Sequence, residues 1–160
     1  MSTLGFNEIL KRLEYFCAYQ ERCEFDVNEK ITKLGVTSPE ENDKFLRLLK
    51  KENFLNQERF VSSYINGKVS IKKWGVNKIR LGLTQKKVLP SLIETGLSQI
   101  DKEVYLNNLA VLLSKKAVNL PEYKTYFTQK TKVLRFLSRK VYTAGEIYGF
   151  LSVYWSFCVL

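Results

Sequence analysis

Histidine is missing from all 160 residues. That absence removes Ser-His-Asp triads, Cys-His dyads, His-ligated metals and imidazole general bases together. An enzyme built on this chain would have to work with carboxylates and lysines. The phosphate-cradling patterns G-x-x-x-x-G-K-[ST] and G-x-G-x-x-G are absent as well. Cysteine is scarce: Cys17, Cys23 and Cys158 show no C-x-x-C spacing and read as reduced thiols in or near a core. With no histidine, a zinc site would need a carboxylate as its fourth ligand, which is uncommon. No apolar run approaches the ~20 residues of a membrane span. Met1 to Arg12 lacks the apolar stretch and small-residue cleavage site of a secretory leader. Glu40-Glu41, and Glu21 with Glu24, read as helix N-terminal charges and solvated surface rather than an acid–base pair. The expectation is a cytoplasmic protein that is not an enzyme and holds no metal or cofactor.

Proline and glycine are also few, at 3 and 8, and the spacing of apolar residues is helical. Ile9, Leu13, Phe16 and Gln20, widened by Leu10 and Cys17, start one stripe. Val27, Ile31 and Leu34 form the next, and Phe45, Leu48 and Leu49 a third. Phe60, Val61, Tyr64 and Ile65, then Ile79 and Leu83, then Tyr105, Leu109, Leu112 and Lys116 continue the pattern. Leu134, Leu137 and Val141, then Ile147, Leu151 and Tyr154, finish it. Recurrence at i, i+3/i+4 and i+7 marks helices with one buried face, and no stretch alternates as a strand does. Ser38-Pro39-Glu40-Glu41 and Thr143-Ala144-Gly145-Glu146 read as capping boxes. Asn56 and Asp101 are placed to cap further helices. Pro90 sits at a first helical position, and Pro121 separates two runs.

These helices repeat in threes. Val27, Ile31 and Gly35-Val36 are matched 52 residues on by Ile79, Leu83 and Lys87-Val88, and 54 further on by Val133, Leu137 and Val141-Tyr142. The expected fold is all-α: a tandem array of three three-helix units with helix-turn-helix-like pairs. Approximate boundaries are 5–54, 55–100 and 101–160. Gly35 suits a left-handed helix C-terminus. Lys87 and Val141 stand at the matching places, and the β-branched Val141 would be strained there.

Charge is uneven. Residues 1–58 carry 9 basic and 11 acidic side chains, whereas residues 59–160 carry 17 and 5. Arg59 to Ile93 contains eight basic residues and no acid: Arg59, Lys68, Lys72, Lys73, Lys78, Arg80, Lys86 and Lys87. Tyr123 to Gly145 contains six and no acid: Lys124, Lys130, Lys132, Arg135, Arg139 and Lys140. A solvated helix face is the plain explanation. Acid-free runs of this length repel themselves, however, which favours a polyanionic partner such as nucleic acid. Trp74, among Lys68, Lys72, Lys73 and Lys78, could anchor packing or stack on a base. Lysine and arginine contacts to phosphate bring affinity and salt dependence without sequence reading.

Tyr19-Gln20-Glu21-Arg22-Cys23 with Val27, Lys30 and Leu34-Gly35 resembles the first repeat of the RecX family. Glu52 through Phe60 resembles that family's junction into its second repeat. Lys68, Lys72-Lys73-Trp74-Gly75, Asn77-Lys78-Ile79 and Gln85-Lys86-Lys87-Val88 are similar to the second repeat of Bacteroidetes-type members. Ile100-Asp101 through Tyr105-Leu106, and Leu112-Leu113 to Lys115-Lys116-Ala117, resemble the start of the third. The resemblance covers roughly residues 8–152. It departs at Val76, where such members often carry a basic residue, at the missing glycine near Val141, and in the aromatic run Tyr148 to Phe157.

The resemblance implies that the three three-helix units form an elongated, curved molecule, a negative regulator of the RecA recombinase that lodges in the groove of the RecA–DNA filament. It would restrain filament extension, ATP hydrolysis and strand exchange, in the setting of DNA repair, homologous recombination and the SOS response. The partners would be the recombinase filament and single- or double-stranded DNA, bound weakly and without sequence preference by a monomer, with no membrane. The residues expected at the nucleic-acid or filament surface are Lys68, Lys72, Lys73, Lys78, Arg80, Lys86, Lys87, Lys132 and Arg135. One alternative is a helix-turn-helix transcription regulator, which needs duplex sequence preference and usually a dimer. Another is a protein adaptor whose basic face binds an acidic protein.

Overall fold

The computed structural model describes residues 4–117, 126–139, 142, 143 and 145–149, and among them it is helical with no strand. The helices delimited among the described residues run in order: α1 (Phe6–Tyr19), α2 (Glu24–Lys33), α3 (Pro39–Lys51), α4 (Gln57–Ser70), α5 (Val76–Gln85), α6 (Pro90–Ser98), α7 (Lys102–Ala117) and α8 (Tyr126–Arg139). Residues 145–149 are helical too. The turn at Val141, Pro121, Cys158 and the aromatic run beyond Gly149 lie outside the described residues. So do Lys124 and Lys140, and the side chain of Lys130.

Helix starts follow local chemistry. Ser38 Oγ accepts the amide of Glu41 at 3.3 Å, with Pro39 at the first helical position of α3. Asn56 Oδ1 accepts from the Arg59 amide at 2.9 Å. Asp101 Oδ1 accepts from the amides of Glu103 and Val104 at 2.8 and 3.2 Å. Thr143 and Glu146 form the reciprocal pair: the Glu146 amide donates to Thr143 Oγ1 at 3.2 Å and the Thr143 amide to Glu146 Oε2 at 2.6 Å. Each cap supplies a partner to an amide that the helix itself cannot satisfy, a contribution of ~1 kcal/mol.

Helix ends repeat one device. After α2, Gly35 has φ +90° and the Val36 amide reaches back to the Ile31 carbonyl at 3.4 Å. After α5, Lys87 has φ +56° and the Val88 amide reaches the Leu83 carbonyl at 3.2 Å. After α3, Asn53 has φ +56° and the Phe54 amide reaches Leu49 at 2.9 Å. All three are left-handed closures in which the chain turns back on the last helical carbonyls.

Two compact units result, one of Met1–Tyr64 with Leu83–Gly96, the other of Ile65–Gly82 with Leu97–Leu160. In the first, α1, α2 and α3 pack together. Their core is Ile9, Leu13, Cys17, Val27, Ile31, Val36, Phe45, Leu46, Leu49 and Leu55, with Phe6 stacked on Phe45 at 4.4 Å. Burial of each large apolar side chain contributes about 1.5–3 kcal/mol. The stripe read from sequence needs two corrections. Leu46 is buried while Leu48 is only half-buried, because the α3 face is broader than a narrow i, i+3/i+4 seam. Gln20 is exposed because α1 ends at Tyr19 and the chain turns extended there.

In the second unit α7 packs on α8. Tyr105, Leu109, Leu112, Leu137, Tyr142 and Ile147 form its core, backed by Val76, Ile100, Leu134 and Phe136.

Candidate nucleic-acid interface

Lys68 to Arg80 fold as the end of α4, a tight turn and the start of α5. The turn closes on α4 itself: the Ile71 and Lys72 amides donate to the Gly67 carbonyl at 3.2 and 3.4 Å, and the Trp74 amide to Lys68 at 3.0 Å. Lys73 sits at φ +51° to make this closure. A non-glycine residue pays roughly 1–2 kcal/mol in that conformation, so the turn requires support.

The support comes from α7 and Tyr142 within the same unit. Asn108 is only 5% exposed. Its Nδ2 donates to the Val69 carbonyl at 3.0 Å, and its Oδ1 accepts from Lys73 Nζ at 2.7 Å. The Val76 amide donates to Tyr105 Oη at 3.0 Å, and Tyr142 Oη donates to the Lys73 carbonyl at 3.2 Å. The two rings lie 5.3 Å apart. Burial pushes both phenols above their ordinary range, that of Tyr142 to about 12 with the Glu146 charge adding to the effect. They stay protonated at every physiological pH. The basic turn is thus seated on three polar groups of its own unit, Asn108, Tyr105 and Tyr142.

Around the turn, Lys68 Nζ lies 4.7 Å and Lys78 Nζ 4.4 Å from the centroid of the half-buried Trp74 ring. Lys72 is exposed, and Arg80 Nη1 donates to Asn77 Oδ1 at 2.7 Å. The structure therefore gathers Lys68, Lys72, Lys73, Lys78 and Arg80 in one segment of the second unit. On α8 of that unit Arg135 is exposed and Lys132 half-buried.

Lys86 and Lys87 belong to the first unit and differ from each other. Lys86 Nζ holds Asp26 Oδ1 at 2.6 Å, with side chains 30% and 14% exposed. Burial favours the neutral carboxyl of Asp26, but hydrogen bonds from Lys86 and Cys23 and the Lys86 charge outweigh it and hold the pKa below its ordinary value. Burial would likewise lower Lys86, but Asp26 outweighs it and the ammonium pKa is raised. Lys87 is exposed, its ammonium 5.4 Å from the Phe25 centroid. Arg59, counted in the acid-free run, binds Glu21 Oε1 at 2.5 Å and the Asn53 and Phe54 carbonyls at 3.0 and 3.4 Å. Its charge is committed to the α3–α4 junction.

Cys17 and Cys23 are buried and free, and burial pushes both thiols up to about 11. Among the described residues no cluster of three or more Cys, Asp and Glu could hold a metal ion. Nor is any helix there long and apolar enough to cross a membrane. Sequence reasoning singled out the lysines but passed over Asn108, whose signal was a polar residue set in the buried stripe Tyr105, Leu109, Leu112.

A family model described as RecX, second three-helix domain, matches residues 56–97, which hold α4, the basic turn, α5 and nearly all of α6. The regulatory protein RecX of Clostridium botulinum (strain Alaska E43 / Type E3) is 37% identical over 123 residues, 76% of this chain and 56% of that protein. The chain belongs to the RecX family. The regulatory protein RecX of Lactococcus lactis subsp. lactis (strain IL1403) is 24% identical over 130 residues, 81% of this chain and 48% of that protein. The chain thus spans about half the length of these RecX relatives. The crystal structure of RecX from Lactobacillus salivarius superposes with a TM-score of 0.82 at 17% identity, covering 92% of this chain and 94% of that one. A second crystal structure, of a regulatory protein RecX, gives 0.79 at 21% identity, covering 92% and 73%. These two likenesses establish the fold, an array of three-helix repeats.

Proposed function

We propose that this RecX-family chain is a negative regulator of a RecA recombinase, acting as a cytoplasmic monomer on the RecA–DNA filament. The observation that carries the reading is the 37% identity to a regulatory protein RecX over 76% of the chain. The basic turn of the second unit supports it. Five cationic side chains on one hydrogen-bonded segment suit a sugar–phosphate backbone, and contacts of that kind are indifferent to base sequence. Arg59 and Lys86 are committed to carboxylates of their own unit. The nucleic-acid-facing set is then Lys68, Lys72, Lys73, Lys78 and Arg80, with Arg135 and Lys132 of α8. Lys87 contributes from the first unit. The regulator would limit filament extension, and with it ATP hydrolysis and strand exchange, by occupying the filament groove.

The test is the DNA-dependent ATPase of the cognate recombinase with increasing amounts of this protein. Inhibition well below one copy per recombinase subunit is expected, because a filament regulator acts beyond the subunit it touches. No effect at any ratio by the folded protein would overturn the reading.

A further inference from the structure

Trp74 is half-buried in the basic turn, and two ammonium groups rest on its ring, Lys68 Nζ at 4.7 Å and Lys78 Nζ at 4.4 Å from the centroid. Two distances to one centroid limit the gap between the ammonium groups to about 9 Å. Like charges held that close are unfavourable unless something draws them together. The quadrupole of the indole does so, since tryptophan is the strongest neutral partner for a cation over its ring. The ring occupies only one side of each ammonium, and an ammonium carries three donors.

We propose that Trp74 is a positioning residue: its indole holds Lys68 and Lys78 as a clamp for successive phosphates of one nucleic-acid strand, and no base stacks on the ring. The inference rests on the nucleic-acid contact proposed above and says how that contact is made. A free lysine side chain carries about 2 kcal/mol of rotamer entropy. Two lysines already ordered on an indole lose less of it when a phosphate binds, so affinity rises with no added interaction. The same geometry disfavours stacking, because a base would have to displace an ammonium from the ring. It also gives Trp74 a role in a sequence-indifferent surface that base recognition does not require.

The experiment measures anisotropy of two labelled single strands, an oligo-dT tract and an abasic tract with the same number of phosphates. The full-length chain and the variants Trp74→Leu, Trp74→Phe, Lys68→Gln/Lys78→Gln and the triple combination with Trp74→Leu are compared, each checked for its helical circular dichroism. The expected result has four parts. Both tracts bind alike. Trp74→Leu weakens binding several-fold, and Trp74→Phe does so much less, because a ring is kept. The effect of Trp74→Leu disappears in the double-lysine background, the non-additivity expected of groups that act together. Weaker wild-type binding to the abasic tract, or a Trp74→Leu loss confined to oligo-dT, would overturn the clamp in favour of base stacking. A Trp74→Leu effect of full size without the two lysines would overturn it in favour of simple packing. Wild-type protein that binds neither tract would overturn it as well, and the recombinase ATPase assay would then still judge the regulatory reading on its own.

Discussion

Gly35 and Lys87 hold the same left-handed turn, φ +90° and +56°, and each is followed by an amide that reaches back five residues, Val36 to Ile31 and Val88 to Leu83. One position is filled by the residue that adopts this conformation freely and the other by one that does not. Gly35→Ala is therefore expected to destabilise the protein by about 1 kcal/mol, although a Cβ there meets nothing within 4 Å, because the strain lies in the backbone. Lys87→Ala keeps a strained non-glycine residue and removes only an exposed cation–π interaction, about 0.5 kcal/mol. Urea midpoints of the two variants check the contrast, and equal shifts would contradict it.

Gly67 presents the reverse case. It lies inside α4 with no positive φ, and a Cβ would meet no atom within 4 Å. Gly67→Ala is expected to stabilise the protein by about 0.5–1 kcal/mol through the reduced freedom of the unfolded chain. Thermal unfolding followed at 222 nm should show a higher midpoint, and a lower one would mean that the Gly67 carbonyl, which closes the basic turn, had been displaced.

Asn108 joins the basic turn to α7 through Val69 and Lys73. Asn108→Ala leaves a carbonyl and an ammonium short of partners in a partly buried place, at a cost of about 1–3 kcal/mol. Amide hydrogen exchange at residues 71–76 should quicken, and oligonucleotide binding should weaken although no charge has been removed. Unchanged exchange in this segment would show that Tyr105 and Tyr142 alone suffice to hold it.

The Asp26–Lys86 pair predicts a pH dependence. Asp26 has a lowered pKa in the folded chain, so its contribution is present above the unfolded carboxylate value, about 3.9, and is lost as pH falls through the lower folded value. Lys86 has a raised pKa, so its contribution is complete below the unfolded lysine value, about 10.4, and is lost as pH rises through the higher folded value. Asp26→Asn should cost about 2 kcal/mol at neutral pH, less than a fully buried pair because Lys86 is partly solvated. It should also flatten the acid limb of a stability–pH curve, and a limb of unchanged slope would assign that limb to other carboxylates.

Salt dependence tests the basic turn as a whole. Lys72→Gln, Lys73→Gln and Lys78→Gln together should lower the slope of log affinity against log salt on single strands by about 0.7 for each phosphate no longer neutralised. Lys86→Gln should leave that slope unchanged, because its charge is spent on Asp26. Equal effects from the two sets would remove the distinction between cations of the turn and cations committed to carboxylates.

The sequence by itself determined the helices and where they begin. Ser38, Asn56, Asp101 and Thr143 cap within three residues of themselves, so the information is local and can be read from the chain. It also determined the recurring turn at Gly35 and Lys87, since helical periodicity and a closure spanning five residues are properties of near neighbours. Only the tertiary structure decided which partners the cations take. Arg59 finds Glu21 across 38 positions, Lys73 finds Asn108 across 35, and Lys86 finds Asp26 across 60. An acid-free run in sequence is therefore not an acid-free surface. A side chain several bonds long takes its partner from whatever packing brings within ion-pair or hydrogen-bond reach, and that distance is set by the folded backbone rather than by separation along the chain.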